Sequence, residues 1–335
     1  MKSAQDAAAS SLRLVNAAAA FRCARLPKGR TGLALLLASV AIYAQGPADS
    51  DIHILKVQGN VYMLVGAGGN ITAQVGKDGI FLVDSGNGKM NDKVQAALKT
   101  LSDKPIHYIV NTSFDSDLTG GNVGLASTCA PVLGGNLGNS NRGAAIVASE
   151  NVVTRMSAQA GQKVAPEALP TVTFFEGDKE IFFNSEPVIT MLAPAAHSDG
   201  DTMVFFRRSD VVSTGEVFNT YTYPVINLEA GGSINGVIDA LNHVLDIAVP
   251  EHEQEGGTYI IPGRGRLCDE HDVLEYRDMV TIIRDRVQYG IKHDMTLDQI
   301  KAAGYTKEYD PRWGGKGGEW TTDKFIEAVY KSLKK

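Results

Sequence analysis

Cysteine is scarce in this chain: three in 335 residues, at positions 23, 129 and 268. So few exclude a disulfide framework; Cys129 and Cys268 can form one bridge or stay as two buried thiols. Acids are nearly missing from the opening, where residues 1–44 hold Asp6 alone against Lys2, Arg13, Arg22, Arg25, Lys28 and Arg30. Charge of either sign is missing from residues 32–44, yet this run is too short to span a bilayer. After residue 44 it is bases that fall short. The whole chain carries −6, and setting aside the +5 of the opening leaves −11. Such an acidic surface excludes nucleic acid and anionic membranes as partners. The chain also lacks a coiled-coil pattern, a low-complexity tract or a repeat of solenoid period.

What is present starts with that opening. A basic segment, a short apolar segment and a small residue at Ala44 read as a signal peptide cleaved near Gln45. A transit peptide and a start codon set too far upstream are the other readings of the same residues. Export to the periplasm or the medium is expected, because Gly46-Pro47-Ala48-Asp49-Ser50 makes a flexible start to a mature chain. No stable membrane insertion is expected after cleavage. Residues 45–335 are then read as one domain. With 44% hydrophobic and 21% charged residues overall, the chain has ample material for a core.

From residue 52 short β-branched or aromatic runs alternate with glycine, asparagine and Lys-Asp-Gly turns. Residues 52–57, 61–65, 71–75 and 80–83 read as a meander of hairpins, with Gly66, Gly68 and Gly69 in a turn rather than a phosphate loop. Asp84-Ser85-Gly86 closes it, and Val94, Leu98 and Leu101 space a helix over 89–101. Strands follow at 106–110, 131–133, 171–175, 179–183, 188–192, 203–206 and 211–213. Helices are expected over 144–156, 233–247, 269–288, 297–303 and 322–333, with a glycine- and tryptophan-rich loop at 313–320.

Polar side chains crowd one strand-to-helix loop, Asn111-Thr112-Ser113-Phe114-Asp115-Ser116-Asp117-Leu118-Thr119-Gly120-Gly121-Asn122. It resembles the N-T-H-x-H-x-D-H-T-G-G-N signature of the metallo-β-lactamase superfamily. Pro194-Ala195-Ala196-His197-Ser198-Asp199-Gly200-Asp201 resembles a second signature, A-H-T-D-G-D. Gly215-Glu216 stands where the family has Gly-Asp, and Pro262-Gly263-Arg264-Gly265 where it has P-G-H-G. The resemblance covers residues 52–335 and implies an α/β fold, a four-layer αββα sandwich carrying a zinc pair held mostly by imidazole. Ser113, Asp115 and Leu118 occupy three histidine positions, Asp117 and His197 match, Glu216 replaces a bridging Asp, and Arg264 replaces the last ligand histidine.

That donor set implies no resident metal. One weakly held divalent ion, zinc or manganese, on Asp115, Asp117, His197 and Glu216 is the alternative. A guanidinium stays protonated and cannot ligate, but it can pair with carboxylates, and Arg264 is expected to neutralise Asp117 or Glu216. Asp117 is the candidate catalytic residue, with Asp115 as its partner in an acid/base pair. His252, among acids, reads as part of a solvated turn, and His53, His107, His243, His271 and His293 lack ligand spacing. No Ser or Cys stands in a nucleophile-elbow context. The expected function is therefore an altered or non-catalytic relative of exported hydrolases that binds a small molecule in the former metal cleft. The alternative is a hydrolase of an ester, lactam or similar bond with a rearranged mononuclear site.

Overall fold

The structure, a computed structural model, describes residues 51–127, 143–158, 164–254, 256–314 and 318–334. Residues 47–335 belong to one compact unit. The opening segment, Cys129 and the strand expected at 131–133 lie outside the described residues.

The hairpin meander forms as the turn residues dictate: β1 (His53–Gln58), β2 (Val61–Ala67), β3 (Gly69–Gly76) and β4 (Gly79–Val83) pair antiparallel in chain order. The chain then crosses over. Helix α1 (Asn91–Leu101) buries Val94, Ala97 and Leu98, one face of a 3.6-residue period, and returns the chain to β5 (Ile106–Val110), parallel to β4. Two short helices, α2 (Ser116–Thr119) and α3 (Asn122–Ser127), follow β5, and β6 (Ala145–Ser149) and β7 (Val172–Phe174) extend the parallel half. A second sheet has the order β12 (Tyr259–Ile261), β11 (Val211–Ser213), β10 (Thr202–Phe206), β9 (Glu186–Leu192), β8 (Lys179–Phe183).

One expectation is corrected. Residues 144–156 are not a single helix: β6 runs to Ser149 and helix α4 (Glu150–Ala158) starts only there. Ile146, Val147 and Ala148 are all buried, Ile146 toward the helices and Val147 toward the other sheet. A parallel strand covered on both faces reads as a continuous apolar run, which periodicity cannot tell from a buried helix.

Strand alternation sorts the core into layers. On β4, Ile80 and Leu82 pack with Val94 and Leu98 of α1, while Phe81 and Val83 turn to the second sheet. Between the sheets Met63, Phe81, Phe183, Val204 and Phe206 form a shared core. The far face of the second sheet carries α5 (Ile234–Ile247), α6 (Glu270–Lys292) and α9 (Thr322–Leu333), with α7 (Leu297–Ala303) and α8 (Asp310–Trp313) between the last two. Val237, Leu241, Val280 and Phe325 from these helices pack against Met203 and Val212. Helix, sheet, sheet, helix: the molecule is the expected four-layer sandwich, each buried Val, Leu or Phe contributing about 1.5–3 kcal/mol. Helix starts are locally encoded, Ser233 accepting from Gly236 N (3.0 Å) and Asp269 closing a capping box with Asp272. No helix among the described residues is long and apolar enough to cross a membrane.

The C-terminal ends of β4, β5, β11 and β12 gather at one edge of the sandwich. There Asn70 donates from its amide side chain to Pro262 O (2.8 Å), and Gly263 O accepts from Asn70 N (2.8 Å), fastening the two sheets together. Cys268 is a buried free thiol.

Candidate active-site cleft

The loop after β5 is held from behind. Asp84, with a left-handed backbone (φ 63°), accepts from Thr112 N (2.8 Å) and contacts Thr112 Oγ1 (2.7 Å). Asn111 and Asn122 exchange side-chain amide hydrogen bonds of 3.1 and 2.8 Å, and Ser85 Oγ donates to Asn122 Oδ1 (2.8 Å). Burial pushes the Asp84 carboxyl up to about 8, against the Thr112 hydrogen bonds. The frame residues shared with the family signature therefore shape the loop.

That frame divides the candidate residues. Asp115, Asp117, His197, Glu216 and Arg264 line one cleft of about 1330 Å³. Ser113 and Leu118 do not line it, being fully buried. Leu118 turns against β3, where a Cβ added at Gly69 would lie 2.3 Å from its Cδ2. Ser113 Oγ donates to Asp115 Oδ2 at 3.4 Å.

The second signature joins the first through Thr202 N, which donates to Thr112 O (2.9 Å). This brings His197 beside Asp115, with Nε2 3.6 Å from Asp115 Oδ2. On its other side His197 Nδ1 lies 3.3 Å from Oδ1 of buried Asp201. Burial acts to lower the imidazole's proton affinity, but Asp201 and Asp115 outweigh it and raise the pKa to about 9. Phe114 stacks on the imidazole with centroids 6.1 Å apart, and the Arg155 guanidinium lies 5.9 Å from the Phe114 centroid.

Glu216 enters from the turn after β11. Gly215 there has φ 52° and sits so close to Thr112 that an added Cβ would be 2.4 Å from Oγ1, so only glycine fits. From the loop after β12, Arg264 Nη2 donates to both Asp117 Oδ2 and Glu216 Oε1, the latter at 3.0 Å. Burial raises the Glu216 carboxyl, with Arg264 and His197 opposing. Burial also raises Asp115, with His197 opposing. The expected partnership of Arg264 is thus present, with both acids at once.

These residues do not fit a zinc pair. Arg264 holds two of the carboxylates, the cleft offers a single imidazole, and no cluster of three or more His, Cys, Asp or Glu suited to a metal occurs among the described residues.

Two contributors went unread in the sequence. Asp201 was legible only as the last residue of the second signature, and nothing there marked it as the carboxylate beside His197 Nδ1. The cleft's other wall, with Tyr221, Val225, Trp320 and Lys324, comes from segments with no motif at all.

Sheet order and loop placement define an αββα sandwich with a cleft at one edge, where strand ends meet. Residues 57–252 match the Lactamase_B family, the metallo-beta-lactamase superfamily, and the chain belongs to that superfamily. No curated protein matches the chain by sequence. Among solved structures it is similar to the stereoselective inverting sec-alkylsulfatase Pisa1 from Pseudomonas sp., with a TM-score of 0.64 and 14% identity over 84% of this chain. The match spans 50% of that sulfatase's length. It is also similar to a metallo-beta-lactamase from Pontibacter korlensis, with a TM-score of 0.52 and 14% identity over 69% of this chain and 99% of that one. The DIM-1 metallo-beta-lactamase gives a TM-score of 0.51 and 12% identity over 69% of this chain and 97% of its own.

Proposed function

We propose that this protein is an exported relative of metallo-β-lactamase-type hydrolases that binds a small molecule in the cleft without a zinc pair. The observation that supports it most is Arg264, whose guanidinium donates to Asp117 and Glu216 together. An arginine there supplies fixed positive charge and removes two carboxylates from the pool of metal donors. Zinc chemistry lowers the pKa of bound water and polarises a carbonyl, and no side chain of this floor does both. The mature chain begins near Gln45 in this reading, and N-terminal sequencing of protein recovered from the cell envelope or medium tests the start.

A second reading is favoured by the 3.6 Å approach of Asp115 to His197, one carboxylate and one imidazole on the same side of the cleft. These two, with Asp117 and Glu216, would hold one zinc or manganese ion in a hydrolase of an ester or lactam bond. Elemental analysis of mature protein expressed with added Zn²⁺ and Mn²⁺ separates the readings. Metal far below one ion per chain is expected. Stoichiometric transition metal, with chelator-sensitive turnover of nitrocefin or of a secondary alkyl sulfate, would establish the second reading instead. Those two probes are the chemistries for which the structural neighbours are named.

A further inference from the structure

Arg264 uses only one of its nitrogens to hold the floor together. Nη2 donates to both Asp117 Oδ2 and Glu216 Oε1, while Nε and Nη1 have no acceptor among the described residues. Asp117 is engaged in the same partial way: Oδ2 accepts from Arg264, and Oδ1 has no donor among the described residues. Both side chains line the cleft, and both are partly open, Arg264 at 35% and Asp117 at 31% exposure. The bond between them fixes each against the other. The pair therefore offers uncommitted N–H donors directly beside an uncommitted carboxylate oxygen.

We infer that Arg264 and Asp117 recognise a neutral amide that carries its C=O and N–H on one side, a primary carboxamide in the simplest case. This rests on the metal-free reading above, since a bound ion would occupy Asp117. The amide oxygen accepts from the free edge of Arg264, and the amide N–H donates to Asp117 Oδ1. Charge disfavours the other head groups. An anion would reach Arg264 only among the carboxylates of Asp115, Asp117 and Glu216, and a cation would meet the guanidinium. An ester brings the acceptor but no donor, and leaves Asp117 Oδ1 covered and unpaired. Only a neutral group with donor beside acceptor satisfies both edges. The facing wall sets the rest of the ligand. Val225, Ile226, Trp320 and Tyr221 line it, and Tyr221 is 64% exposed. An apolar or aromatic body lies against these side chains while the polar pair fixes its orientation.

A matched series of probes with one aromatic body tests this: phenylacetamide, methyl phenylacetate, phenylacetate and phenethylammonium. Each is titrated into the purified protein and followed by tryptophan fluorescence, which Trp320 reports from the cleft wall. Phenylacetamide should bind saturably and about tenfold tighter than the ester, one hydrogen bond being the difference. Both ions should bind more weakly than the amide. Asp117→Ala removes the acceptor and leaves Arg264 on Glu216, so it should erase the preference for amide over ester. An ester that binds as tightly as the amide, an ion that binds best, no saturable amide binding, or a preference that survives Asp117→Ala would each overturn the inference. Elemental analysis of the same samples keeps the two readings apart. Any of those results in metal-free protein sinks the amide site alone, whereas amide binding that needs bound Zn²⁺ and is lost with a chelator sinks the metal-free reading with it.

Discussion

At the scale of single residues, the site is governed by which charges are left alone when one is removed. Arg264→Ala strips the partner from Glu216, which is buried, and from Asp117, which is partly exposed. An exposed pair contributes about 0–1 kcal/mol and breaking a buried one costs about 3–5 kcal/mol, so a loss of about 2 kcal/mol is expected for this half-exposed guanidinium. Adding Glu216→Gln should restore part of it, because the stranded carboxylate is gone; a double variant that melts no higher than Arg264→Ala would disprove the compensation. Protonation gives a second expectation. The His197 pKa is raised from 6.5 to about 9 in the folded protein, so its contribution is whole below pH 6.5 and lost as pH rises through 9. Asp84, raised from 3.8 to about 8, has the same sign: the folded state holds its proton more tightly than the unfolded chain, and stability falls as pH rises from 3.8 to 8. The melting temperature should thus decline from pH 6 to pH 9, and Asp201→Asn should flatten the upper part of that decline. A flat wild-type profile would contradict the folded-state pKa assigned to His197.

At the scale of elements, the position of His197 depends on how closely α5 sits on the loop between β9 and β10. A Cβ added at Gly232 would lie 2.2 Å from His197 O, and one at Gly236, in the first turn of α5, 1.9 Å from Ala195 O. Both approaches are to backbone, which cannot rotate aside. Gly236→Ala therefore sets a helix-propensity gain of about 1 kcal/mol against a backbone clash. Overpacking of this kind costs typically about 1–3 kcal/mol, so a net loss of stability is expected, together with a shift of the His197 ring signals. Calorimetric melting combined with NMR of the histidine rings, the His197 signal identified by its loss in His197→Gln, reads both; a variant as stable as the parent with an unmoved His197 would show that α5 does not seat that loop. The same closeness explains why the loop can hold a buried histidine and carboxylate in register: Asn227 N donates to His197 O (2.9 Å) while Ser198 holds Asp201.

At the scale of the whole molecule, the sandwich brings four strand ends to one edge, and this scaffold should outlast the chemistry it carries. Ser113→His, Asp115→His, Leu118→His, Glu216→Asp and Arg264→His together rebuild the family's donor set around Asp117 and His197. At least one tight Zn²⁺ site, absent from the parent, is expected by calorimetric titration, because the loops that aim the ligands are already shaped. The second site should be the weaker, since Leu118 packs into the core against Gly69 and a histidine there must turn outward. A well-folded quintuple variant with no gain in Zn²⁺ binding would overturn the site assignment. Much of this was legible before folding. The meander, the capped helices and the loop signatures rest on neighbours a few residues apart, so a period of 2 or 3.6 and a turn residue suffice to find them. Strand β6 was hidden because burial on both faces erases the period. The pairing of Arg264 with an acid was readable from residue types, whereas its grip on two acids, one of them 147 residues away, was not. Nor could spacing tell that Ser113 and Leu118 are fully buried while Asp115 and Asp117 face the cleft, or that Asp201 backs His197. Residue types alone determined which groups could carry charge and which could not bind metal. Which charges meet was decided only when the two sheets closed on a common core, because short-range ion pairs depend on distances that the chain acquires by packing and does not carry along its length.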